Sequence, residues 1–166
     1  MEVAIWRPAS WDDVTTLNTM GMSEKSMPGA DYIVELNLAC RRKLSETDEQ
    51  RLATLLANIT QYPFAHNRKL DWWERLANPN GIPVFDNCTQ ILFAPSFADS
   101  DLSWLETPKQ PVKLLHVIPI TERENHILAA HGVEAFKTYL DEEGVDLFSP
   151  PNERRASRPV GENNET

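Results

Sequence analysis

The sequence is poor in the residues that grip nucleic acid. Of 166 residues only 16 are lysine or arginine, against 25 aspartates and glutamates, for a formal net charge of −9. Phosphate backbones are held by clustered cations. The one basic run, Arg41-Arg42-Lys43, is short enough to be a solvated strand end or loop. A nucleic-acid partner is therefore excluded, whereas an acidic surface suits a basic protein partner or plain solubility. Cysteine is scarce: Cys40 and Cys88, with no CxxC, do not make a disulfide scaffold. In strand-like context both read as buried, reduced thiols. No apolar run approaches the roughly 20 residues of a membrane helix. "MEVAIWRP" has no basic region followed by an apolar run. The acceptor patterns Asn58-Ile59-Thr60 and Asn87-Cys88-Thr89 are then chance matches, and the expected location is the cytoplasm. GxxxxGK and GxGxxG phosphate loops are also missing. Gly21-Met22-Ser23-Glu24-Lys25 starts like a nucleophile elbow but carries Lys25 where the second glycine belongs.

What is present is an ordinary globular composition, 41% apolar and 25% charged, in a length that suits one domain. "EVAIWR" (2–7), "VTTLNTM" (14–20), "TQILFAP" (89–95) and "VKLLHVIPI" (112–120) read as strands, the last apolar on both faces and so central in its sheet. In "DYIVELNLACR" (31–41), Tyr32, Val34, Leu36 and Leu38 share one face. Ser45 and Asp48 begin a helix whose Leu52, Leu55, Leu56 and Ile59 form one stripe to be buried; Pro63 is expected to stop it. "LDWWERLAN" (70–78) is expected to be a short helix, and "VDLFS" (145–149) a last strand. Two helical stretches, 121–131 and 133–143, are split by Gly132. The expected fold is one α/β (α+β-like) domain over residues 1–150, a mixed, largely antiparallel sheet with helices packed on it. Residues 151–166 are polar, Pro-rich and without period, and are expected to form a flexible tail.

"HVIPITERENHILAAHG" (116–132) gathers His116, His126 and His131 with Glu122 and Glu124, the vocabulary of metal and acid–base sites. Its pattern points elsewhere. Thr121 and Glu124 have capping-box spacing. His131 before Gly132 suits a helix C-terminus. His126 and His131 lie roughly 140° apart around a helix, unlike the i, i+4 pair of a zincin. Caps and core account for the stretch, and no metal or cofactor is expected. A cryptic acid–base enzyme around His116, Glu122 and His126 is the alternative.

Aromatics offer a different clue. Tyr62, Phe64, Trp72 and Trp73 lie close together with His66, Asn67 and Arg68 between them, the composition of an interface hot spot as well as of a core. Trp6, Trp11 and Trp104 stand alone and are expected to pack. Five segments then fall in order: "TMGMSEKSM" (19–27), "YIVELNL" (32–38), "LANITQYPF" (56–64), "VKLLHVIPITERE" (112–124) and "PNERR" (151–155). Together they resemble the Suppressor-of-fused-like domain, over roughly residues 3–155, by order and spacing rather than by any one motif. Two positions depart from it: Asp71-Trp72-Trp73 replaces a Gly-(Asp)-His turn, and Asn152 stands where an Asp is usual. The resemblance implies a non-enzymatic protein-binding domain of the bacterial single-domain type, an immunity protein neutralising a toxin domain in a polymorphic toxin system. A peptide-binding regulatory adaptor is the other reading it leaves open. It places Tyr62 and the following turn in a region linked to peptide recognition, so Tyr62, Trp72 and Trp73 are the expected partner-binding residues.

Overall fold

The computed structural model describes residues 1–8, 14–97 and 103–154. Trp11, Arg155 and the rest of the expected tail lie outside the described residues. The elements are β1 (Glu2–Trp6), β2 (Val14–Met20), a 3-10 turn (Met22–Glu24), β3 (Ile33–Arg41), α1 (Glu46–His66), β4 (Arg75–Ala77), β5 (Cys88–Ala94), β6 (Trp104–Leu105), β7 (Val112–Thr121) and α2 (Glu122–Glu143). The seven strands form one sheet in the order β1-β2-β3-β7-β5-β4, with β6 also on β7. Among the described residues only β3 and β7 run parallel; the remaining pairs are antiparallel. This is the expected α/β domain.

Alternation along the strands builds two cores. Val34, Leu36, Leu38 and Cys40 of β3, Ile91 and Phe93 of β5, and Leu115 and Val117 of β7 meet Leu52, Leu56 and Ile59 of α1. The opposite side chains, Leu92 and Ala94 of β5 and Ile118 and Ile120 of β7, meet Leu128, Phe136 and Leu140 of α2. The sheet therefore carries α1 on one face and α2 on the other, and β7, apolar on both faces, lies between β3 and β5. Leu55 differs from expectation: it is half-buried at the flank of the α1 stripe, packed against the core without being enclosed.

Both helices start as their caps dictate. Ser45 accepts from the Asp48 amide, and Thr121 with Glu124 forms a complete capping box. Gly132 sits at φ 80°, ψ −177° and breaks α2 into two segments; that backbone region is essentially confined to glycine. Pro63 does not stop α1. It lies in the penultimate turn with its ring buried, and the helix ends at Asn67, whose left-handed backbone sends its N–H back to the Pro63 carbonyl. Residues 70–78 are not helical: they form a turn and then the edge strand β4. Residues 145–149 are not a strand. They turn around Asp146, whose carboxylate accepts from the Phe148 amide and the Ser149 hydroxyl, and one bond from the Arg41 amide to the Phe148 carbonyl ties the turn to β3.

Two buried carboxylates explain motifs of the sequence. Glu35 accepts from the Thr19 hydroxyl (2.5 Å), the Gly21 amide (2.9 Å), and the Ser23 amide and hydroxyl (3.0 and 2.7 Å). The "GMS" loop is thus wrapped around the glutamate of "VEL". Glu124 receives Arg154, itself only 3% exposed, which also donates to the Pro119 and Ser149 carbonyls. Residues 151–154, assigned from sequence to the tail, are therefore packed on the domain.

Candidate protein-binding face

The three expected partner residues do not form one cluster. Tyr62 sits on the last turns of α1, half-buried, its ring 4.4 Å from that of His66. Trp72 and Trp73 are adjacent but part to opposite faces of the sheet: Trp72 packs on the α1 core and Trp73 on the α2 core. The divergence follows from backbone geometry. Trp73 has φ 67°, a left-handed conformation rare for so bulky a residue, held by its N–H to the Phe93 carbonyl (2.6 Å) and by the Phe93 N–H to the Glu74 carbonyl (2.9 Å).

Each tryptophan then meets an aromatic ring that looks isolated in the sequence. Trp72 stands edge-on to Trp104 at 5.7 Å, and Trp73 edge-on to Phe97 at 5.9 Å. The bond from the Ser96 amide to the Ser103 hydroxyl (3.0 Å) closes the circuit. The result is a belt of rings, Phe97–Trp73–Trp72–Trp104, around the end of the sheet where β3 and β7 begin and β5 finishes. Phe97 is 39% exposed, Trp104 38% and Leu105 47%, so the belt presents apolar surface to solvent. Sequence reasoning missed Phe97 and Leu105 and took Trp104 for a packing residue. No local signal marks them: Phe97 meets Trp73 only in the folded chain, and Leu105 is exposed beside Trp104 in β6.

Beneath the belt is a buried charge. The Lys113 ammonium lies 3.9 Å from the Trp72 ring centroid, 4.6 Å from Tyr32 and 5.6 Å from Trp104, and pairs with Asp71. A cation over ring faces is favoured, more so away from water. The indole N–H of Trp72 is used on the Leu114 carbonyl (3.0 Å) and the Tyr32 hydroxyl on that of Leu70 (3.0 Å). Trp72 is thereby pinned from below, while Trp104 is the part of the pair that faces out.

Burial raises the affinity of the Asp71 carboxyl for a proton, but the Lys113 ammonium and the Trp72 amide outweigh it and hold the group down at about 2. The sign of the pH effect follows. A depressed folded value adds stability above the unfolded value of roughly 3.9, and that stability is lost as pH falls toward 2. The urea midpoint of the wild type should drop over this window, and Asp71→Asn should flatten that part of the profile. An unchanged profile in the variant would place the acid sensitivity elsewhere.

The histidine stretch does not converge on a site. His126 and His131 are exposed on α2, as is Glu122, and His116 is half-buried in mid-strand. At roughly 3.3 Å per residue, Glu122 lies ~20 Å along from His116. Among the described residues no three of His, Cys, Asp and Glu are placed to hold a metal. Cys40 and Cys88 are free and buried, and burial pushes their thiols up to about 11 and about 12, so both remain protonated at neutral pH. No helix among the described residues is long and apolar enough to cross a membrane.

Known proteins with this pattern agree with the architecture. The immunity protein YqcF of Bacillus subtilis (strain 168) is 26% identical over 145 residues, 82% of this chain and 72% of the relative. A SUFU homologue from Neisseria gonorrhoeae FA 1090 superposes with a TM-score of 0.66 at 17% identity, over 87% of this chain and 72% of that one. Suppressor of Fused from Drosophila gives 0.60 at 14%, over 89% of this chain and 40% of the longer protein. The Sufu–Fu complex also gives 0.60, at 13% identity, over 84% of this chain and 68% of that one. The solved structures share the fold. The model of the family described as "Suppressor of fused protein (SUFU)" matches residues 1–152, from the first strand through the turn that precedes Arg154, and the chain belongs to that family.

Proposed function

We propose that this chain is a non-catalytic protein-binding domain acting as an immunity protein, which holds a cognate toxin domain in the bacterial cytoplasm. The observation that carries the reading is the ring belt. Large, rigid side chains left partly open to water around a pinned base are what anchors a protein interface. The name of the Bacillus relative supports the immunity role, and the Sufu–Fu complex is an example of this fold bound to a protein. In the proposed face Trp73, Phe97, Trp104 and Leu105 touch the partner, Trp72 backs Trp104, and Tyr62 lies at the flank.

The test is co-expression with any toxin domain found encoded beside the gene, read as protection from growth arrest and as co-elution of a stoichiometric complex. Phe97→Ala and Trp104→Ala should each weaken the complex by about 2 kcal/mol, roughly 30-fold, with thermal stability nearly intact. Trp72→Ala should lower stability and affinity together, since its indole is tied into β7; Tyr62→Ala should have the smaller effect on affinity. A complex indifferent to Phe97, Trp73 and Trp104 would move the interface elsewhere. Absence of both protection and complex would end the immunity reading.

A further inference from the structure

Beside the belt, Trp73 and Phe97 form one wall of a groove completed by Pro95, Leu140, Lys137 and Asp141, with a cavity volume of about 310 Å³. Its walls mix the two rings and the Pro95 and Leu140 carbons with the polar heads of Ser96, Lys137 and Asp141. Its mouth is at the C-terminal end of α2, where Asp141, Glu142 and Glu143 are exposed and the last turn holds no basic residue. Among the described residues none of these three carboxylates makes an ion pair. The negative end of the α2 dipole adds potential of the same sign, although the Leu140 and Asp141 carbonyls are capped by the Gly144 and Val145 amides. Three carboxylates there oppose the helix dipole, so the arrangement costs stability within the chain and is relieved by a cation from outside.

The groove already holds a cation of the chain itself, which an incoming arginine must push aside. The Lys137 ammonium lies 5.4 Å from the Trp73 ring centroid. Its ion partner is Glu134, 3.0 Å away, whose side chain is 87% exposed, a surface pair of small worth that an incoming group displaces easily. The left-handed backbone at Trp73 turns this ring away from Trp72 and into the groove, a strained conformation of the kind that marks binding sites.

We infer that the groove receives an arginine side chain of the partner protein, its guanidinium stacked on the Trp73 ring in place of the Lys137 ammonium, beside the perpendicular Phe97 ring, and hydrogen-bonded to the Asp141 carboxylate. The inference rests on the protein-binding reading above and names the partner's chemistry: a basic segment, matched to a chain of net charge −9. Arginine suits the site better than lysine because its planar head both stacks on a ring and offers paired donors to a carboxylate.

The probe is a five-residue peptide, acetyl-Gly-Leu-Arg-Leu-Gly-amide, with lysine, norleucine and glutamate in place of arginine in its companions. Each is titrated into the labelled full chain while the Trp73 indole N–H and the Leu140 and Asp141 amides are followed by NMR. The arginine peptide should shift these signals and bind at least about threefold more tightly than the norleucine peptide. That preference should shrink in Asp141→Asn and Phe97→Ala, both at exposed positions that leave folding intact, and should weaken with added salt. Equal binding of the norleucine or glutamate peptide, or shifts confined to other signals, would overturn the proposal. In the toxin complex, Asp141→Lys should abolish the arginine contact and weaken binding. If that variant binds as wild type while Trp104→Ala does not, the arginine assignment fails and the protein-binding reading stands.

Discussion

Replacing Arg154 by alanine is expected to cost about 3–5 kcal/mol of folding stability, measured by urea unfolding at neutral pH. The guanidinium reaches both oxygens of Glu124 from Nη1, at 2.6 and 2.5 Å, and donates from Nη2 to the Pro119 carbonyl (2.6 Å) and from Nε to the Ser149 carbonyl (3.0 Å). The side chains of the pair are 3% and 4% exposed. Without Arg154 the Glu124 carboxylate keeps only its capping bonds to Thr121 and remains a buried charge. The cost comes chiefly from that uncompensated charge, so the double change Arg154→Met with Glu124→Gln should recover part of it, glutamine still capping α2. Truncation after Pro150 should behave like Arg154→Ala. A chain cut there that unfolds at the wild-type midpoint would show that residues 151–154 do not belong to the domain.

Glu35→Ala is expected to lose about 3 kcal/mol by the same measurement, because hydrogen bonds to a charged group are worth roughly 1.5–3 kcal/mol each. The loop reorients toward water on losing the carboxylate, which keeps the total below the sum of its bonds. Four donors converge on Glu35, from Thr19, Gly21 and Ser23. Thr19 is also an acceptor for the Leu36 amide (2.8 Å), so β2, the loop and β3 are joined in one network. Glu35→Gln keeps the shape but turns one acceptor into a donor among donors, and should fall between wild type and alanine. A loss below about half a kcal/mol would be that of a surface site and would contradict the buried network.

Much of the fold was readable because its signals are local. A strand of period two and a helix of period 3.6 declare themselves within ten residues, and Ser45, Thr121, Glu124 and Gly132 act on their own backbone. The failures share the opposite cause. Pro63 reads as a stop, yet a proline near a helix end forfeits one hydrogen bond, and burial of its ring offsets that loss. Residues 70–78 have helix-like composition, but pairing of Arg75–Ala77 with β5 draws the chain into the sheet. Leu55 lies at the edge of a stripe whose width depends on where α1 sits on the sheet.

The binding face divides along the same line. Sequence alone determined that the chain carries an acidic surface and a paired tryptophan in a polar segment, since charge and composition need no coordinates. It also determined the family resemblance, carried by five segments in order, some of which fold into the loop around Glu35 and the cap around Glu124. Only the tertiary structure decided that Trp72 and Trp73 part to opposite faces, that Phe97 and Trp104 meet them, and that Arg154 closes the domain. Those contacts join residues about 24 to 32 positions apart, from Phe97 to Trp73 and from Trp104 to Trp72. Arg154 lies 30 positions from Glu124. Such separations exceed any local period, and the partners are chosen by strand pairing and by the need to neutralise a buried charge.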